Sequence, residues 1–404
     1  MTIREIERAA AGLRDVIHSI PVSSSKTFSD MSGAELYMKC ENLQKTGSFK
    51  VRGAYNKIAR LAGEGVREVV ASSAGNHAQG VAFASTSLGV QSTIVMPRSA
   101  PLAKAAATEG YGARVLLYGD CYDEAYSKAL EIQQETGAVF VHPFNDLQIA
   151  TGQGSIAMEI IKELPTVDYI LVPVGGGGLC TGVSTLAKLL NPKIKVIAVE
   201  PAGAACLKAS LEAGEVVTLP EISTIADGTA VQTPGDKLFP YLQANVDEVL
   251  TIDDSELTFS FLDMAENHKM IVENSGLLTV SALKHLEFKN KKVVSVLSGG
   301  NMDVLTMATM VQNGLMQRDR IFTVSVMLPD KPGQLAAVSA LIAKLQGNVI
   351  KLDHNVFANV NRAAGVQLTI TMESFGTDHK NQIVQALKDA GYQTEVARTS
   401  RIYM

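Results

Sequence analysis

Short apolar runs alternate with amphipathic segments over most of the chain. Runs such as DYILVPV (168–174) and KVVSVLSGG (292–300) have the length and continuous hydrophobicity of parallel strands buried on both faces. The segments between the runs, such as GSIAMEIIKELP (154–165), carry apolar residues at helical spacing. This alternation predicts an α/β fold with open, mostly parallel sheets and helices on both faces. The other predicted strands are REVVASS (67–73), STIVMP (92–97), ARVLLYG (113–119), AVFVHPF (138–144) and KVIAVE (195–200).

The pattern changes near VQNGLMQRDR (311–320), a polar stretch that predicts a linker. The segment after it has about the size of one small domain. Its pattern predicts the order strand, helix, strand, strand, helix, strand, which is the ferredoxin-like βαββαβ arrangement. We therefore predict a catalytic domain at residues 1–320 and a separate regulatory or binding domain at residues 321–404.

Composition and charge narrow the function classes. The 404 residues are 46% hydrophobic with a net charge of -5, and no long basic run predicts binding of nucleic acid or of a membrane surface. No apolar stretch approaches the ~20 residues that span a bilayer. The N-terminus lacks the apolar core of a signal peptide. The four cysteines are far apart, which predicts neither a zinc site nor a disulfide framework, and we expect a reducing cytoplasm.

Glycine occurs at two predicted strand-to-helix junctions, where ligands are expected in such a fold. In the first, Ser73-Ala74-Gly75-Asn76-His77 separates a strand from a helix whose apolar spacing begins at Val81. In the second, four glycines occupy positions 175–178. A glycine-rich loop before a helix presents unpaired N–H groups and the positive end of the helix dipole, and these bind anions. The two junctions predict two anion sites, although tight structural turns would give the same pattern.

A nicotinamide-binding fold is the strongest competing interpretation of the second junction. Glu200 ends a strand about 20 residues after the glycines, where a ribose-binding acid would lie. However, the glycines at 175–178 and 182 contain no G-x-G-x-x-G, and the chain has no Walker A motif. The junction therefore predicts a compact phosphate cradle.

The stretch ENLQKTGSFKVRGAYNKI (41–58) places Lys50 at the predicted start of a helix with Ser48 as a candidate N-cap. A cation there meets the unfavourable end of the helix dipole, and burial also disfavours its charge, so both effects lower the pKa of the amine. A neutral lysine is a nucleophile and a base, as Schiff-base chemistry requires. Taken alone, the stretch is also typical of an exposed surface lysine.

Four motifs follow one another along the chain: SFKVRGA (48–54), SAGNH (73–77), GGGGL (175–179) and SGGN (298–301). Together they resemble the threonine/serine dehydratases among the tryptophan synthase β-like, fold-type II pyridoxal phosphate enzymes, over residues 1–320. The resemblance implies a two-lobed catalytic domain whose smaller lobe, about residues 51–150, is inserted in the larger one. It also implies pyridoxal 5'-phosphate as the cofactor.

The resemblance assigns roles to individual residues. It implies that Lys50 binds the cofactor covalently and acts as the base, with Phe49 near the cofactor ring. It implies that Asn76 hydrogen-bonds the cofactor's 3-hydroxyl group and that Ser298 faces the pyridine nitrogen. The implied phosphate-binding residues are Gly175, Gly176, Gly177, Gly178 and Leu179. The implied loop for the substrate carboxylate consists of Ser73, Ala74, Gly75 and His77.

The implied reaction is elimination of water from L-threonine or L-serine, giving 2-oxobutanoate or pyruvate and ammonia. A serine at position 298 keeps the pyridine nitrogen protonated much less than an aspartate would, which favours elimination over transamination. Relatives that racemise serine have a second serine where this chain has Ala74, so racemisation is not expected. Some relatives bind a divalent cation in a segment resembling EPAGAAC (200–206). Cys206 replaces the aspartate of that segment, so no metal site is predicted.

A few other residues are weaker candidates for the cofactor or substrate site. By resemblance, Asp227, Gly228 and Glu273 border the cofactor. His142 ends a predicted strand and is a candidate to line the site, but we favour its interpretation as a satisfied core or loop histidine.

The tail resembles an ACT domain, a module that often binds amino acids, on the motif DKPGQL (330–335). The implied regulatory residues are Gly333, Leu335 and Asn348, with the effector held between two copies of the domain in a homodimer or homotetramer. This tail favours a regulated threonine enzyme, in isoleucine synthesis or in threonine breakdown, over a serine-preferring one. A purely architectural dimerisation module remains an alternative.

Two other classes remain open: a nicotinamide-dependent oxidoreductase and a non-catalytic amino-acid sensor. The absent dinucleotide motif weighs against the oxidoreductase. The intact set of lysine, glycines and serine weighs against the sensor.

Overall fold

The computed structural model describes residues 1–355 and 365–397. The chain divides into two compact units, with the boundary between Asp303 and Val304. The first unit contains two mostly parallel sheets, and the second contains one antiparallel sheet. The predicted fold class is confirmed.

The helices of the first unit are α1 (Ile3–Leu13), α2 (Lys26–Ser32), α3 (Lys50–Gly63), α4 (Asn76–Ser87), α5 (Leu102–Gly110), α6 (Tyr122–Thr136), α7 (Leu147–Glu163), α8 (Gly178–Leu190), α9 (Cys206–Ala213), α10 (Phe239–Asn245), α11 (Asp254–Asp263) and α12 (Asn274–Ser281). Its strands are β1 (Ser23–Ser24), β2 (Glu35–Cys40), β3 (Glu68–Ser72), β4 (Gln91–Met96), β5 (Arg114–Leu117), β6 (Val139–Phe140), β7 (Tyr169–Pro173), β8 (Lys195–Pro201), β9 (Glu248–Ile252) and β10 (Lys292–Leu297).

The larger sheet has the strand order β1-β2-β10-β7-β8-β9, and only β1 runs antiparallel to its neighbour. The smaller sheet has the order β5-β4-β3-β6 and is entirely parallel. The chain leaves the larger sheet after β2, builds the smaller sheet and returns with β7. The first unit is therefore two-lobed, and the carboxyl ends of parallel strands are available in both lobes.

The hydrophobic cores lie on both faces of the sheets, which explains why the strands are continuous apolar runs in the sequence. In the smaller sheet, Val69 and Ala71 pack into the core on one face, while Val70 and Val95 pack into a second core on the other face. In the larger sheet, Val172 and Val196 belong to a core built with helices α7 and α8. A parallel sheet covered on both faces buries successive residues, so the alternation of polar and apolar positions is lost.

Three local predictions were wrong. Ser48 does not cap α3: its buried hydroxyl has no hydrogen-bond partner among the described residues, and Ser48 instead forms an antiparallel bridge with Gly299. Helix α4 begins at Asn76, inside the SAGNH segment that was expected to precede it, because the polar residues Asn76 and His77 gave no apolar spacing. Strand β6 covers only Val139–Phe140, so the HPF part of its predicted run is a loop.

The second unit contains helices α13 (Val304–Gln317), α14 (Gln334–Lys344) and α15 (Thr377–Asp389) and strands β11 (Ile321–Leu328), β12 (Asn348–Asn355), β13 (Val366–Glu373) and β14 (Gln393–Val396). From β11 onward the order is βαββαβ, and the antiparallel sheet has the strand order β12-β13-β11-β14. The ferredoxin-like order is confirmed. The predicted linker at 311–320 is wrong, because most of it lies in α13, where Met310, Asn313 and Gly314 are buried.

Within residues 1–355 and 365–397, no helix is long and apolar enough to cross a membrane. In the same part of the chain, no three His, Cys, Asp or Glu side chains are grouped to hold a metal ion. All four cysteines are free, and only Cys121 is exposed.

Candidate active site

Lys50 is the first residue of α3, and its position is fixed by close packing of helices. A methyl group at Gly80 of α4 would lie 3.1 Å from the carbonyl carbon of Lys50, so the glycine lets the two helices approach at this point. The half-buried amine donates a hydrogen bond from Nζ to the carbonyl oxygen of Pro143 at 2.8 Å. Burial lowers the pKa of Lys50 to about 8, although the carboxyl of Glu273 acts against this effect. A large share of Lys50 is therefore a neutral amine near pH 8.

The segment before Lys50 pairs with the loop after β10. The N–H of Phe49 donates to the carbonyl of Ser298 at 3.1 Å, and the N–H of Gly300 donates to the carbonyl of Gly47 at 2.9 Å. Ser298 is buried. Two of the four sequence motifs, SFKVRGA and SGGN, thus lie side by side although about 250 residues separate them.

Asn76, at the start of α4, belongs to a hydrogen-bonded set with Glu273 and Asn301. Its Nδ2 donates to Oε1 of Glu273 at 2.7 Å, and its Oδ1 accepts from Nδ2 of Asn301 at 2.7 Å. Burial raises the pKa of Glu273 to about 7. Burial also raises the pKa of Asp227, and a methyl group at the adjacent Gly228 would lie 3.5 Å from Oε1 of Glu273. Asp227, Gly228 and Glu273 therefore lie near the SAGNH and SGGN motifs.

The four-glycine loop is fully buried between β7 and α8. A methyl group would lie 2.8 Å from Cα of Thr229 if placed at Gly175 and 2.3 Å from the ring of Phe144 if placed at Gly176. Gly177 has a φ of +92° and Gly178 begins α8, with Leu179 in its first turn. Only glycine fits beside Thr229 and Phe144, so the loop packs closely against both residues at the N-terminus of α8. We call residues 175–178 the glycine cradle.

The SAGNH loop is more open. Ser73, Ala74 and Gly75 are half-buried, the hydroxyl of Ser73 accepts from the N–H of Gly75 at 3.2 Å, and a methyl group at Gly75 would meet no atom within 4 Å. His77 differs from these residues. Its side chain is buried and donates from Nε2 to the carbonyl of Val141 at 2.9 Å, while burial and the charge of Lys50 lower its pKa to about 3. The His77 side chain is therefore a neutral packing group.

The loop after β6 was only a weak candidate for the site, through His142, yet it connects Lys50 to the glycine cradle. Pro143 accepts the hydrogen bond from Lys50, and Phe144 covers Gly176 and Gly178. His142 accepts hydrogen bonds at Nδ1 from the N–H groups of Phe144 and Asn145, at 3.2 and 2.9 Å. The sequence signal was available, because HPF follows a parallel strand, where ligand sites are expected.

A buried ion cluster is centred on Arg52, two residues after Lys50 in α3. Both guanidinium edges of Arg52 are paired, with two 2.7 Å hydrogen bonds to Glu41 and bonds of 2.6 and 2.8 Å to Glu159, and Lys39 adds a 2.7 Å ion pair to Glu159. Burial by itself lowers the pKa of Arg52, but the two carboxylates outweigh it and hold the pKa above its ordinary value. Removing one partner of such a cluster typically costs about 3–5 kcal/mol, so it firmly joins β2, α3 and α7. Composition and spacing gave no sign of it.

The segment EPAGAAC (200–206) lies beside the glycine cradle. The carboxylate of Glu200 accepts from the N–H groups of Leu207 and Lys208 at 2.8 and 2.9 Å, and burial raises its pKa to about 7. The thiol of Cys206 is 3.8 Å from the carbonyl oxygen of Gly175, to which it donates. These groups are used to support the loop and the start of α9.

The three predicted regulatory residues lie in the second unit, but one chain does not bring them together. Gly333 caps α14 at its N-terminus with a φ of +88°, and Leu335 is in the first turn of that helix. Asn348 begins β12, just after the other end of α14, and its Nδ2 donates to Glu373 at 2.8 Å. The 11 residues of α14 make a helix about 16 Å long, which separates the two positions.

The first unit therefore combines an amine with a lowered pKa, the closed glycine cradle and one open loop at a helix N-terminus. Contacts run from Lys50 through Pro143 and Phe144 to the cradle, and from Phe49 through Ser298 and Gly299 to Asn76. Such a site can hold a resident anionic group, bind a second anion reversibly, and move a proton at the amine between them.

Comparisons with known proteins agree with this geometry. The profile of a family described as "Pyridoxal-phosphate dependent enzyme" matches residues 13–299. The chain is 42% identical to the L-threonine ammonia-lyase of Thermotoga maritima over 398 residues, which cover 98% of this chain and 99% of that protein.

Two solved structures are similar to part of the chain. A processed threonine deaminase isoform 2 from Solanum lycopersicum is 34% identical, with a TM-score of 0.73 over 77% of this chain and 94% of that one. Maize serine racemase is 36% identical, with a TM-score of 0.73 over 78% of this chain and 98% of that one.

Proposed function

The chain belongs to the family of pyridoxal-phosphate dependent enzymes, and on that premise we propose that it is an L-threonine ammonia-lyase. The reaction is the elimination of water from L-threonine, which gives 2-oxobutanoate and ammonia, with L-serine as a poorer substrate. The observation that carries this proposal is the match to a threonine ammonia-lyase over 98% of the chain, which includes the second unit. The match to serine racemase covers 78%.

The residues of the site fit the cofactor. A half-buried amine with a lowered pKa, Lys50, suits a covalent attachment point, and the glycine cradle suits a phosphate because side chains are excluded from it. Ser298 and Asn76 would hold the ring, and Phe49 would pack near it. The chemistry that the cofactor supplies when bound is a sink for the electron pair left at Cα after deprotonation.

In the proposed reaction, Lys50 removes the proton from Cα of the substrate with its neutral Nζ. The hydroxyl group takes up one proton as it leaves Cβ as water, which balances the proton removed from Cα. Hydrolysis of the resulting enamine releases ammonia and the 2-oxo acid. The half-open loop at Ser73, Ala74, Gly75 and His77 binds the substrate carboxylate through backbone N–H groups at the N-terminus of α4. This loop orients the Cα proton toward Lys50.

The choice between elimination and racemisation depends on whether a proton donor lies on the face of the substrate Cα that is opposite Lys50. Racemisation needs a proton donor on the face opposite Lys50. At the position implied for that donor, the chain has Ala74, whose methyl group cannot donate a proton. We therefore propose a lyase without racemase activity.

We propose that the second unit is an ACT-like regulatory domain. Gly333 and Leu335 lie at one end of α14 and Asn348 follows the other end, so an effector that touches all three needs a second copy of the chain. This supports a homodimer or homotetramer with an amino-acid effector between paired domains. Titration of isoleucine and valine against activity and thermal stability tests it, and no response in either measurement contradicts it.

The experiment for the main proposal is a direct assay. The purified protein with pyridoxal phosphate is mixed with L-threonine or L-serine, and 2-oxo acid, ammonia and D-serine are measured. We expect equimolar 2-oxobutanoate and ammonia from threonine, a lower kcat/KM with serine, and no D-serine. Rapid D-serine formation without a 2-oxo acid would contradict the proposal.

A further inference from the structure

His142 lies at the carboxyl end of β6, next to the open loop that follows β3. Strands β6 and β3 are parallel neighbours, paired at Val139 with Val69 and at Phe140 with Val70. The N–H of Val141 continues this pairing by donating to the carbonyl of Val70 at 2.8 Å. Because parallel strands end at the same edge of a sheet, His142 and the Ser73–Gly75 turn border the same space.

The backbone fixes the tautomer of His142. Nδ1 accepts two N–H groups, those of Phe144 and Asn145, so it cannot carry a proton. Burial and the charge of Lys50 lower the pKa of His142 to about 4. The ring is therefore neutral at physiological pH, with its single proton on Nε2.

The Nε2–H group has no acceptor among the residues that the structure describes, whereas the corresponding group of His77 is bonded to Val141. The ring is held edge-on by Phe140 and Phe144, with centroids at 6.1 and 4.8 Å. His142 is half-buried, so its donor is oriented but accessible. The structure thus contains a rigid, neutral donor beside the open loop.

We propose that His142 is a substrate-binding residue that donates its Nε2–H to the α-carboxylate of the amino acid, next to the N–H groups of the SAGNH loop. This inference rests on the proposed function only in taking an α-amino acid as the substrate. A neutral donor suits this place, because a cationic one would add a second positive charge close to Lys50. The interaction involves no proton transfer, and its effect is to bind and orient the carboxylate.

Two substitutions separate the two nitrogens. In His142→Asn, the amide oxygen can replace Nδ1 as the acceptor for the loop N–H groups, but the Nε2 donor is lost. In His142→Gln, the amide nitrogen can replace the Nε2 donor. Each holoenzyme is titrated with L-2-aminobutyrate, an amino acid without a leaving hydroxyl group, and with propylamine, the same amine without the carboxylate. Binding is followed by the absorbance of the cofactor.

We expect His142→Asn to raise the Kd of L-2-aminobutyrate about ten- to a hundredfold, which is the range of a hydrogen bond to a charged group. The Kd of propylamine should stay within twofold of the wild-type value, and His142→Gln should restore most of the affinity for L-2-aminobutyrate. An equal loss for both ligands, or an equal loss in both variants, would overturn the proposal.

An unchanged Kd for L-2-aminobutyrate with a lower kcat for threonine would also overturn it, since His142 would then act on the hydroxyl group. Neither ligand undergoes elimination of water, so the titration remains informative even if the protein fails to convert threonine.

Discussion

The two glycine-bearing junctions of the first unit have the same architecture and opposite degrees of enclosure. In both, a parallel strand of buried apolar residues ends in a loop that leads into a helix N-terminus, β3 into α4 and β7 into α8. At the first, a methyl group on Gly75 would touch nothing within 4 Å. At the second, methyl groups on Gly175 and Gly176 would collide with Thr229 and Phe144.

This difference indicates what each junction is built for. A helix N-terminus attracts anions in either place, but a closed cradle excludes water and holds its ligand from several sides. An open loop can exchange its ligand during each turnover. The closed junction therefore suits a resident phosphate, and the open one suits a substrate carboxylate.

Each junction also has one carboxyl group with a pKa raised by burial to about 7. Glu273 accepts from Asn76 at the open junction, whereas Glu200 accepts from the start of α9 beside the closed one. Of these two acids, only Glu273 affects the pKa of Lys50, which it raises. Substitutions of the two acids can therefore be compared directly: one should change the pKa of Lys50, and the other should change only the support of α9.

The largest effect is expected from Lys50→Ala. In the proposed site, this one amine acts on the substrate held at the open junction and binds the cofactor held at the closed one. Without a base at this position, kcat/KM for threonine should fall by at least about a thousandfold. The control is Arg60→Ala on the same helix, which removes only an exposed ion pair to Glu64 at 2.9 Å and should change the rate little. Retained turnover and a retained borohydride-sensitive cofactor band in Lys50→Ala would refute the assignment.

The next largest effect is expected from Gly176→Ala in the closed cradle. The added methyl group must displace the ring of Phe144 from 2.3 Å. Overpacking of this kind costs about 1–3 kcal/mol, so the Kd for pyridoxal phosphate should rise roughly ten- to a hundredfold. Fluorescence or absorbance titration of the apoprotein measures it, and an unchanged Kd would show that the cradle is not the phosphate site.

A smaller effect is expected from Glu273→Gln, measured as the pH dependence of covalent capture of pyridoxal phosphate by the apoprotein. The capture rate should rise with pH as Lys50 loses its proton, with a midpoint near pH 8 in the wild type. An ionised Glu273 raises the pKa of Lys50, so the midpoint should move to lower pH in Glu273→Gln. Glu200→Gln should leave the midpoint unchanged, and an equal shift in both variants would contradict the distinction between the two acids.

The smallest effect on the cofactor is expected from Gly75→Ala. The methyl group enters open space, so the Kd for pyridoxal phosphate should change by no more than about threefold, which is about 0.6 kcal/mol. The KM for threonine should rise more than this, because the loop borders the substrate. If Gly75→Ala weakens the cofactor as strongly as Gly176→Ala does, the two junctions do not have separate ligands.

The apolar runs predicted the class of fold because parallel strands covered on both faces must be continuously hydrophobic. The same rule failed for ELYMKC, the strand β2, where a lysine interrupts the run. Lys39 is nevertheless buried, since it pairs with Glu159 in the ion cluster around Arg52. Buried charge is tolerated only when it is paired, and the partner of Lys39 lies in α7, so no pattern in β2 predicts it.

The sequence by itself determined the α/β class and the order of the ferredoxin-like tail through its periodicity. It indicated the family and the cofactor through a resemblance that rests on motifs contiguous in the chain. Only the tertiary structure decided which junction is closed and which is open. That difference depends on Phe144, Thr229 and Leu242, which fill the space around the glycines from remote parts of the chain. The tautomer of His142 was likewise decided by two backbone N–H groups, whose direction depends on how the loop folds.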